Sequence, residues 1–365
     1  MKRELCVMVD TQPLRPSKAS IPDKSNEKAR YMKTLANLTQ TSIGRFPAGN
    51  PVSFERKDLR TLKENFLVSL KSDGVRYLLL LTTNNEDDAV AIMIDRSFKM
   101  YEVEIWGDPD FFTNGTLLDG ELVWDYSREP CPRLSYLVFD AIVVKGEIQI
   151  NSYSDRLQVV SNILFYFTSQ TEDEIEDIIC EERKICAMHN HLDLRLLPKK
   201  FVNIQNINEL WRNRTHSQYR NDGLIFTNQN SLSVSKGTNK DSLKWKPEHT
   251  IDVKAEWIKN EWKITVGYSE QWTDISKTIT LENGNKSNVI FHNNDLLKCI
   301  SEKYSDHIIL ECSCNIQDGT INLFAIRERH DKTTPNSLNT VQKTITNVQE
   351  NITSEELLAY LSAAH

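Results

Sequence analysis

Between residues 66 and 144 the chain strings together six short stretches rich in Val, Ile, Leu and aromatic residues, at 66–71, 77–82, 89–95, 100–105, 116–124 and 134–144. Turn residues separate them. This run predicts an α+β protein built on antiparallel sheets, and it argues against regular βαβ alternation. Helical spacing follows at 154–167, through Leu157, Val160, Ile163 and Leu164. Shorter helices are expected at 27–38, 58–65 and 204–212. The acidic stretch 171–183 reads as a solvated helix face. Strands return at 223–227 and 242–246.

Pro247 ends regular pairing and marks a boundary. Six short strands follow at close spacing, at 251–257, 262–268, 278–281, 289–292, 308–314 and 321–327, with a polar helix expected at 294–303. This pattern predicts a small β-barrel of the OB type. Residues 354–363 read as a helix with Ser354 as N-cap and Glu355 and Glu356 in its first turn. The expected division is a first domain at 1–247, the barrel at 248–337, and a helical tail at 338–365 packing back on the first domain. A length of 365 residues suits about two domains of roughly 150 residues.

Lys and Arg total 44 against 51 Asp and Glu, a net charge of −7. That balance argues against a basic coat for long duplex nucleic acid and leaves room for a local basic site. No run approaches the ~18 apolar residues of a membrane helix, so no membrane partner is expected. The N-terminus is polar from Lys2 and lacks a secretory signal pattern. Seven scattered cysteines form no disulfide framework, which points to a reducing, intracellular compartment. Cys180, Cys186, His189 and His191 cluster, and Cys312 and Cys314 form a C-x-C, but each group lacks the second ligand pair of a zinc site.

Six motifs carry chemistry. Lys71-Ser72-Asp73-Gly74-Val75-Arg76 follows a strand. A lysine amine attacks phosphorus only when neutral, and nearby cations such as Arg76, or desolvation, supply that form. Alone, the string also reads as a surface hairpin turn. Asp119-Gly120-Glu121 sets two carboxylates on one face of an extended chain, suited to a hydroxyl or a hard cation, or makes an ordinary turn. Phe139-Asp140 interrupts an apolar run. The aspartate there needs a partner, and the phenyl ring is suited to base stacking or to the core. Asp222-Gly223 places a carboxylate at the mouth of a strand, or another turn. Lys244-Trp245-Lys246 alternates two phosphate-suited cations about an aromatic, or protects an edge strand. Arg329 to Asn336 is by composition a polar linker.

Taken in order, these pieces resemble the motifs of the covalent nucleotidyltransferases, which include mRNA capping enzymes and ATP-dependent polynucleotide ligases. Residues 46–58 and 347–358 are also similar to segments of the capping branch in its compact viral form. Three features favour that branch over ligases: the small Ser72, the R-x-D-K-x-x-P-N string at 329–336, and no DNA-binding domain ahead of the core.

The resemblance implies a nucleotidyltransferase domain of ATP-grasp-like antiparallel sheets with helices, followed by an OB-fold. It implies that Lys71 attacks the α-phosphorus of GTP, forms lysyl-N-GMP, and passes GMP to a 5′-diphosphate RNA end as a GpppN cap. Arg76, Arg96 and Glu121 would hold the ribose and neighbouring groups, Phe139 would stack on guanine, and Lys199 would read its O6. Asp222 would place Mg²⁺ or Mn²⁺ and the Lys71 amine. Lys244 and Lys246 would grip the α-phosphate. Arg329, Asp331 and Lys332 would reach the outgoing phosphates. RNA triphosphatase and cap methyltransferase activities would come from other chains, at the site of transcription in a nucleus or a cytoplasmic viral factory. A ligase using the same lysine and a non-catalytic nucleotide- or RNA-binding module are the alternatives.

Overall fold

The computed structural model describes residues 14–16, 20–62, 65–127, 133–167, 194–232, 237–259, 261–267, 271–292, 307–329 and 332–363. The chain forms two compact units. The first is Met1–Val52 with Lys63–Lys244, and the second is Ser53–Leu62 with Trp245–His365. A linear cut at 247 would leave Ser53–Leu62 in the first.

The strands of the first unit are β1 (Gly49–Ser53), β2 (Phe66–Ser72), β3 (Val75–Thr83), β4 (Ala89–Ile94), β5 (Met100–Val103), β6 (Thr116–Asp125), β7 (Arg133–Val144), β8 (Glu147–Ile148), β9 (Leu194–Pro198), β10 (Val202–Asn203), β11 (Asn221–Asn228) and β12 (Gly237–Trp245). They form one sheet in the order β1-β12-β11-β2-β10 and a larger one in the order β5-β4-β3-β6-β7-β8, with β9 parallel to β7. Every pairing among β3 to β7 within the larger sheet is antiparallel, as the sequence predicts.

Among the described residues the helices of this unit are α1 (Asn26–Thr39), α2 (Asp110–Thr113), α3 (Tyr153–Phe167) and α4 (Ile207–Arg212). Helix α1 starts where the Ser25 side chain accepts the Lys28 N–H, satisfying one orphan donor of the first turn. Leu78 and Leu80 of β3 pack with Tyr31 and Leu35 of α1, while Leu79 and Leu81 pack with Val160, Ile163 and Leu164 of α3. With both faces of β3 covered, the strand is a continuous apolar run rather than an alternating one.

Two expected helices are shorter than their sequence pattern. The described residues of 58–65 contribute a 3₁₀ turn, Arg56–Arg60, where Glu55 and Asp58 cap each other's backbone N–H. Residues 204–212 split into a 3₁₀ turn at Ile204–Asn206 and the short α4. The stretches 171–183 and 294–303 lie outside the described residues, as do Cys180, Cys186, His189 and His191.

The second unit holds β13 (Thr250–Ile258), β14 (Glu261–Val266), β15 (Thr273–Asp274), β16 (Thr278–Thr280), β17 (Lys286–His292), β18 (Ile308–Gln317) and β19 (Thr320–Glu328), then α5 (Leu338–Glu350) and α6 (Ser354–Ala363). Its sheet runs β15-β14-β13-β18-β19-β17-β16. The β17–β19 pair is parallel and β13–β14, β13–β18 and β18–β19 are antiparallel, a nearly closed barrel of OB type.

Ile251, Val253, Ile264, Val266, Leu310 and Leu323 fill this barrel, and Val341 and Ile345 of α5 join its core. Cys312 and Cys314 both face inward from β18, as an alternating strand requires. Burial pushes the Cys314 thiol up to about 12 and the Cys312 thiol in the same direction. Trp245 is buried, and its indole N–H donates to the Ile352 carbonyl at 3.0 Å. Among the described residues no helix is long and apolar enough to cross a membrane.

Candidate active site

Lys71 is the penultimate residue of β2. Its strand pairs with β11 through Leu70 opposite Leu224 and Ser72 opposite Asn221, with a register shift between these two pairs. The one extra residue of that bulge re-aims the backbone, and Asp222 comes beside the nucleophile candidate. Lys71 Nζ donates to Asp222 Oδ1 at 2.7 Å, and the two side chains are 21% and 33% exposed. The turn that follows is tied back where the Asp73 N–H donates to the Arg220 carbonyl at 2.8 Å. Gly74 is required by space: a Cβ there would lie 2.3 Å from the Leu122 carbonyl oxygen.

From that turn β3 leads to Arg76, directly opposite Glu121 on β6, which is opposite Leu137 on β7. The Arg76 guanidinium forks onto buried Asp119, with Nε donating to Oδ1 at 2.9 Å, and also donates to the Gly49 carbonyl at 2.8 Å. Burial alone would lower the Arg76 pKa, but the charge and hydrogen bonds of Asp119 reverse this and raise it.

The two carboxylates of the Asp119-Gly120-Glu121 motif each have a cation beside them. Asp119 holds Arg76, while Glu121 Oε2 accepts from Lys199 Nζ at 3.3 Å.

Phe139 is half-buried between these cations, with Arg76 5.5 Å and Lys199 5.7 Å from its ring centroid. Lys199 is set there by its own backbone, whose N–H donates to the Val138 carbonyl at 2.8 Å. Arg96 lies exposed in the turn after β4. The structure thus brings Lys71 and Asp222 together, and gathers Arg76, Glu121, Phe139 and Lys199 on the larger sheet.

Two supporting residues escaped the sequence reading. Arg156 of α3 forks onto buried Asp140 at 2.7 and 3.1 Å, and its Nη1 donates to the Asn151 and Ser231 carbonyls. The Tyr153 hydroxyl donates to the Phe139 carbonyl at 2.8 Å. The signal for Arg156 is Asp140 itself, since a buried carboxylate requires a cation or a full set of donors. Burial raises the Asp140 pKa above its ordinary value, against the opposing hydrogen bonds and charge of Arg156.

A cavity of about 670 Å³ is lined in part by Leu70, Ser72, Leu137, Lys199, Tyr219 and Asn221. Leu70 and Ser72 alternate with Lys71 along β2, so the cavity lies on the opposite face of that strand from the amine. Of the candidate residues it takes in Lys199 alone.

Lys244 is half-buried on β12 and Lys246 half-buried just beyond it, flanking buried Trp245. In the second unit Arg329 Nη1 donates to Asp252 Oδ1 at 3.1 Å, and Lys332 Nζ donates to Asp252 Oδ2. Asp331 lies outside the described residues.

Among the described residues no three His, Cys, Asp or Glu side chains converge as a metal cage. A single carboxylate at the amine, Asp222, still fits a hard cation of the Mg²⁺ type, which commonly takes one or two carboxylates together with substrate phosphates.

A two-sheet nucleotidyltransferase domain bearing this lysine, joined to an OB-fold, defines the class. The family description "mRNA capping enzyme, catalytic domain" matches residues 18–248, and "mRNA capping enzyme, C-terminal domain" matches residues 248–358. The mRNA-capping enzyme subunit alpha of Schizosaccharomyces pombe is 30% identical, over 91% of this chain and 84% of its own. The Neurospora crassa subunit alpha is 26% identical, over 89% and 86%. The mRNA-capping enzyme of Danio rerio is 29% identical over 87% of this chain but only 49% of its own. A solved structure of the ligase domain from M. tuberculosis LigD aligns over 78% of this chain and 96% of its own, at 14% identity and a TM-score of 0.34. The chain belongs to the mRNA capping enzyme family.

Proposed function

We propose that this chain is an mRNA guanylyltransferase that transfers GMP from GTP, through a covalent lysine intermediate, to the 5′-diphosphate end of RNA. The observation that carries the reading is the Lys71–Asp222 contact at 2.7 Å in a capping-family chain, with the Arg76, Glu121, Phe139 and Lys199 cluster in the same unit.

In the first step the Lys71 Nζ–phosphorus bond forms as the bond from the α-phosphorus to its bridging oxygen breaks. Pyrophosphate leaves with that electron pair, and the amine's proton passes toward Asp222. In the second step a terminal phosphate oxygen of the RNA attacks the same phosphorus. The phosphorus–nitrogen bond breaks, and Lys71 regains a proton. Splitting one transfer into two in-line displacements is the gain of covalent catalysis.

Phe139 stacks on the guanine base, Lys199 reads its O6, and Arg76, Arg96 and Glu121 hold the ribose side. Lys244 and Lys246 neutralise the α-phosphate, and Arg329, Asp331 and Lys332 meet the leaving phosphates. Asp222 would hold Mg²⁺ or Mn²⁺, which supplies charge neutralisation on the triphosphate. The name "subunit alpha" carried by the fungal relatives supports a partner subunit; on this reading RNA triphosphatase and cap methyltransferase activities come from other chains. The reading places the chain at the site of transcription, in a nucleus or, for the compact viral form, a cytoplasmic factory.

The test is product analysis. RNA ending in a 5′-diphosphate, incubated with the protein, GTP and Mg²⁺, should gain a nuclease-resistant GpppN end, while 5′-monophosphate RNA should not. Nick sealing with ATP and no cap would overturn the reading in favour of a ligase.

A further inference from the structure

Asp252 sits on β13 directly opposite Glu311 of β18. Like charges facing each other across strands are destabilising, and Asp252 is only 5% exposed. The barrel tolerates the pair because cations converge on it. Arg329 Nη1 lies 3.1 Å from Asp252 Oδ1 and 3.5 Å from Glu311 Oε2. Lys332 Nζ takes the other Asp252 oxygen. Glu311 is also held by Arg327 Nε at 2.7 Å and the Thr250 hydroxyl at 2.9 Å.

The same segment is clamped by its backbone. The Asp252 N–H donates to Asn336 Oδ1 at 2.8 Å, and the Asn336 N–H returns to the Asp252 carbonyl at 2.9 Å. The Lys332 N–H donates to the Arg329 carbonyl at 3.1 Å. These bonds tie Asn336 to the Asp252 backbone, and the Asp252 carboxylate, which also accepts from Asn336 Nδ2 at 3.5 Å, sets the two cations side by side. Its two oxygens each take one cation, as two oxygens of one phosphate would.

We infer that Asp252 is a positioning residue for the first step, holding Arg329 and Lys332 in the spacing at which they receive the pyrophosphate leaving group. This rests on the guanylyltransferase reading above. Pyrophosphate departs with the electron pair of the broken phosphorus–oxygen bond, so two aligned cations act on charge that grows in the transition state. The second step releases no pyrophosphate and does not need them.

The test separates the two steps in wild type, D252N and D252E. Step one is the rate of enzyme–GMP formation from GTP, and step two is the decay of purified enzyme–GMP on adding 5′-diphosphate RNA. D252N should slow step one by about tenfold or more at saturating GTP, the scale of losing an aligned electrostatic contact, and leave step two within about twofold. D252E should recover part of the loss. Pyrophosphate-driven return of GTP from enzyme–GMP should slow as the forward step does. Equal loss in both steps, or an unchanged step one, would overturn the inference. If D252N does not fold, D252E, which keeps the charge but displaces it by one methylene, carries the test with the same two outcomes. A wild type that takes no label from GTP sinks the function reading, whereas a labelled wild type with an equally fast D252N sinks only the role of Asp252.

Discussion

Lys71 Nζ meets Asp222 Oδ1 at 2.7 Å across a register shift between β2 and β11, although the two residues are 151 positions apart in the chain. The contact gives the amine an orientation and its proton a destination. Lys71→Ala should therefore abolish covalent labelling. Lys71→Arg should do the same, because a guanidinium stays protonated and cannot attack. Asp222→Asn should cut enzyme–GMP formation by roughly 10²-fold, the lower end of a positioned acid–base contribution. The thermal midpoint should move little, since partly exposed ion pairs contribute only about 0–1 kcal/mol. Single-turnover labelling and a melting curve on each variant check this.

Gly74 faces the Leu122 carbonyl oxygen with no space for a side chain. Gly74→Ala should push the turn away from β6 and displace Lys71 from its aligned position. Labelling should fall by about 10²-fold, the scale of a 1 Å misplacement. A variant labelling at the wild-type rate would show that the turn tolerates the shift.

The Asp140–Arg156 pair is buried behind Phe139. Arg156→Met strands a buried carboxylate, at about 3–5 kcal/mol. For a unit of this size that lowers the melting midpoint by roughly 6–20 °C. Phe139→Ala should instead leave the midpoint nearly unchanged and raise the KM for GTP by about 5- to 150-fold, from the ~1–3 kcal/mol of base stacking. Melting curves and initial rates on the two variants separate support from contact.

Glu311 supplies a pH dependence. Burial would raise its pKa, but hydrogen bonds from Arg327 and Thr250 and the charges of Arg327 and Arg329 hold it below the ordinary value. A carboxylate depressed in the folded state contributes stability above its unfolded pKa of about 4.3 and loses it as pH falls through the folded value. The midpoint difference between wild type and Glu311→Gln should be full at neutral pH and shrink below about pH 4. A difference constant from about pH 3 to 7 would contradict the assignment.

The strands were legible because their apolar patterning follows burial. Tyr77 to Leu81 reads as a continuous run because α1 and α3 cover both faces of β3. The C-x-C at Cys312 reads as an alternating strand for the same reason. Partnerships were harder to read. Alternation put Asp119 and Glu121 on one face but could not say that Arg76 and Lys199 would each claim one. Arg156 stands next to Leu157 in an amphipathic helix and looks like a solvated position, since only the sheet beneath it supplies Asp140. The Lys71–Asp222 contact depends on a bulge at Asp222 and Gly223, which no period announces. Family resemblance found it where spacing could not. Asp252 drew no attention, because its partners lie 77 and 80 residues downstream.

The most direct measurement is covalent label transfer with α-labelled nucleotide and Mg²⁺, followed by denaturation and peptide mapping. The account predicts an adduct from GTP and not from ATP, released by acid as expected of a phosphoramidate, on the peptide containing Lys71 and absent in Lys71→Ala. An adduct from ATP alone, or one that persists in Lys71→Ala, would contradict it.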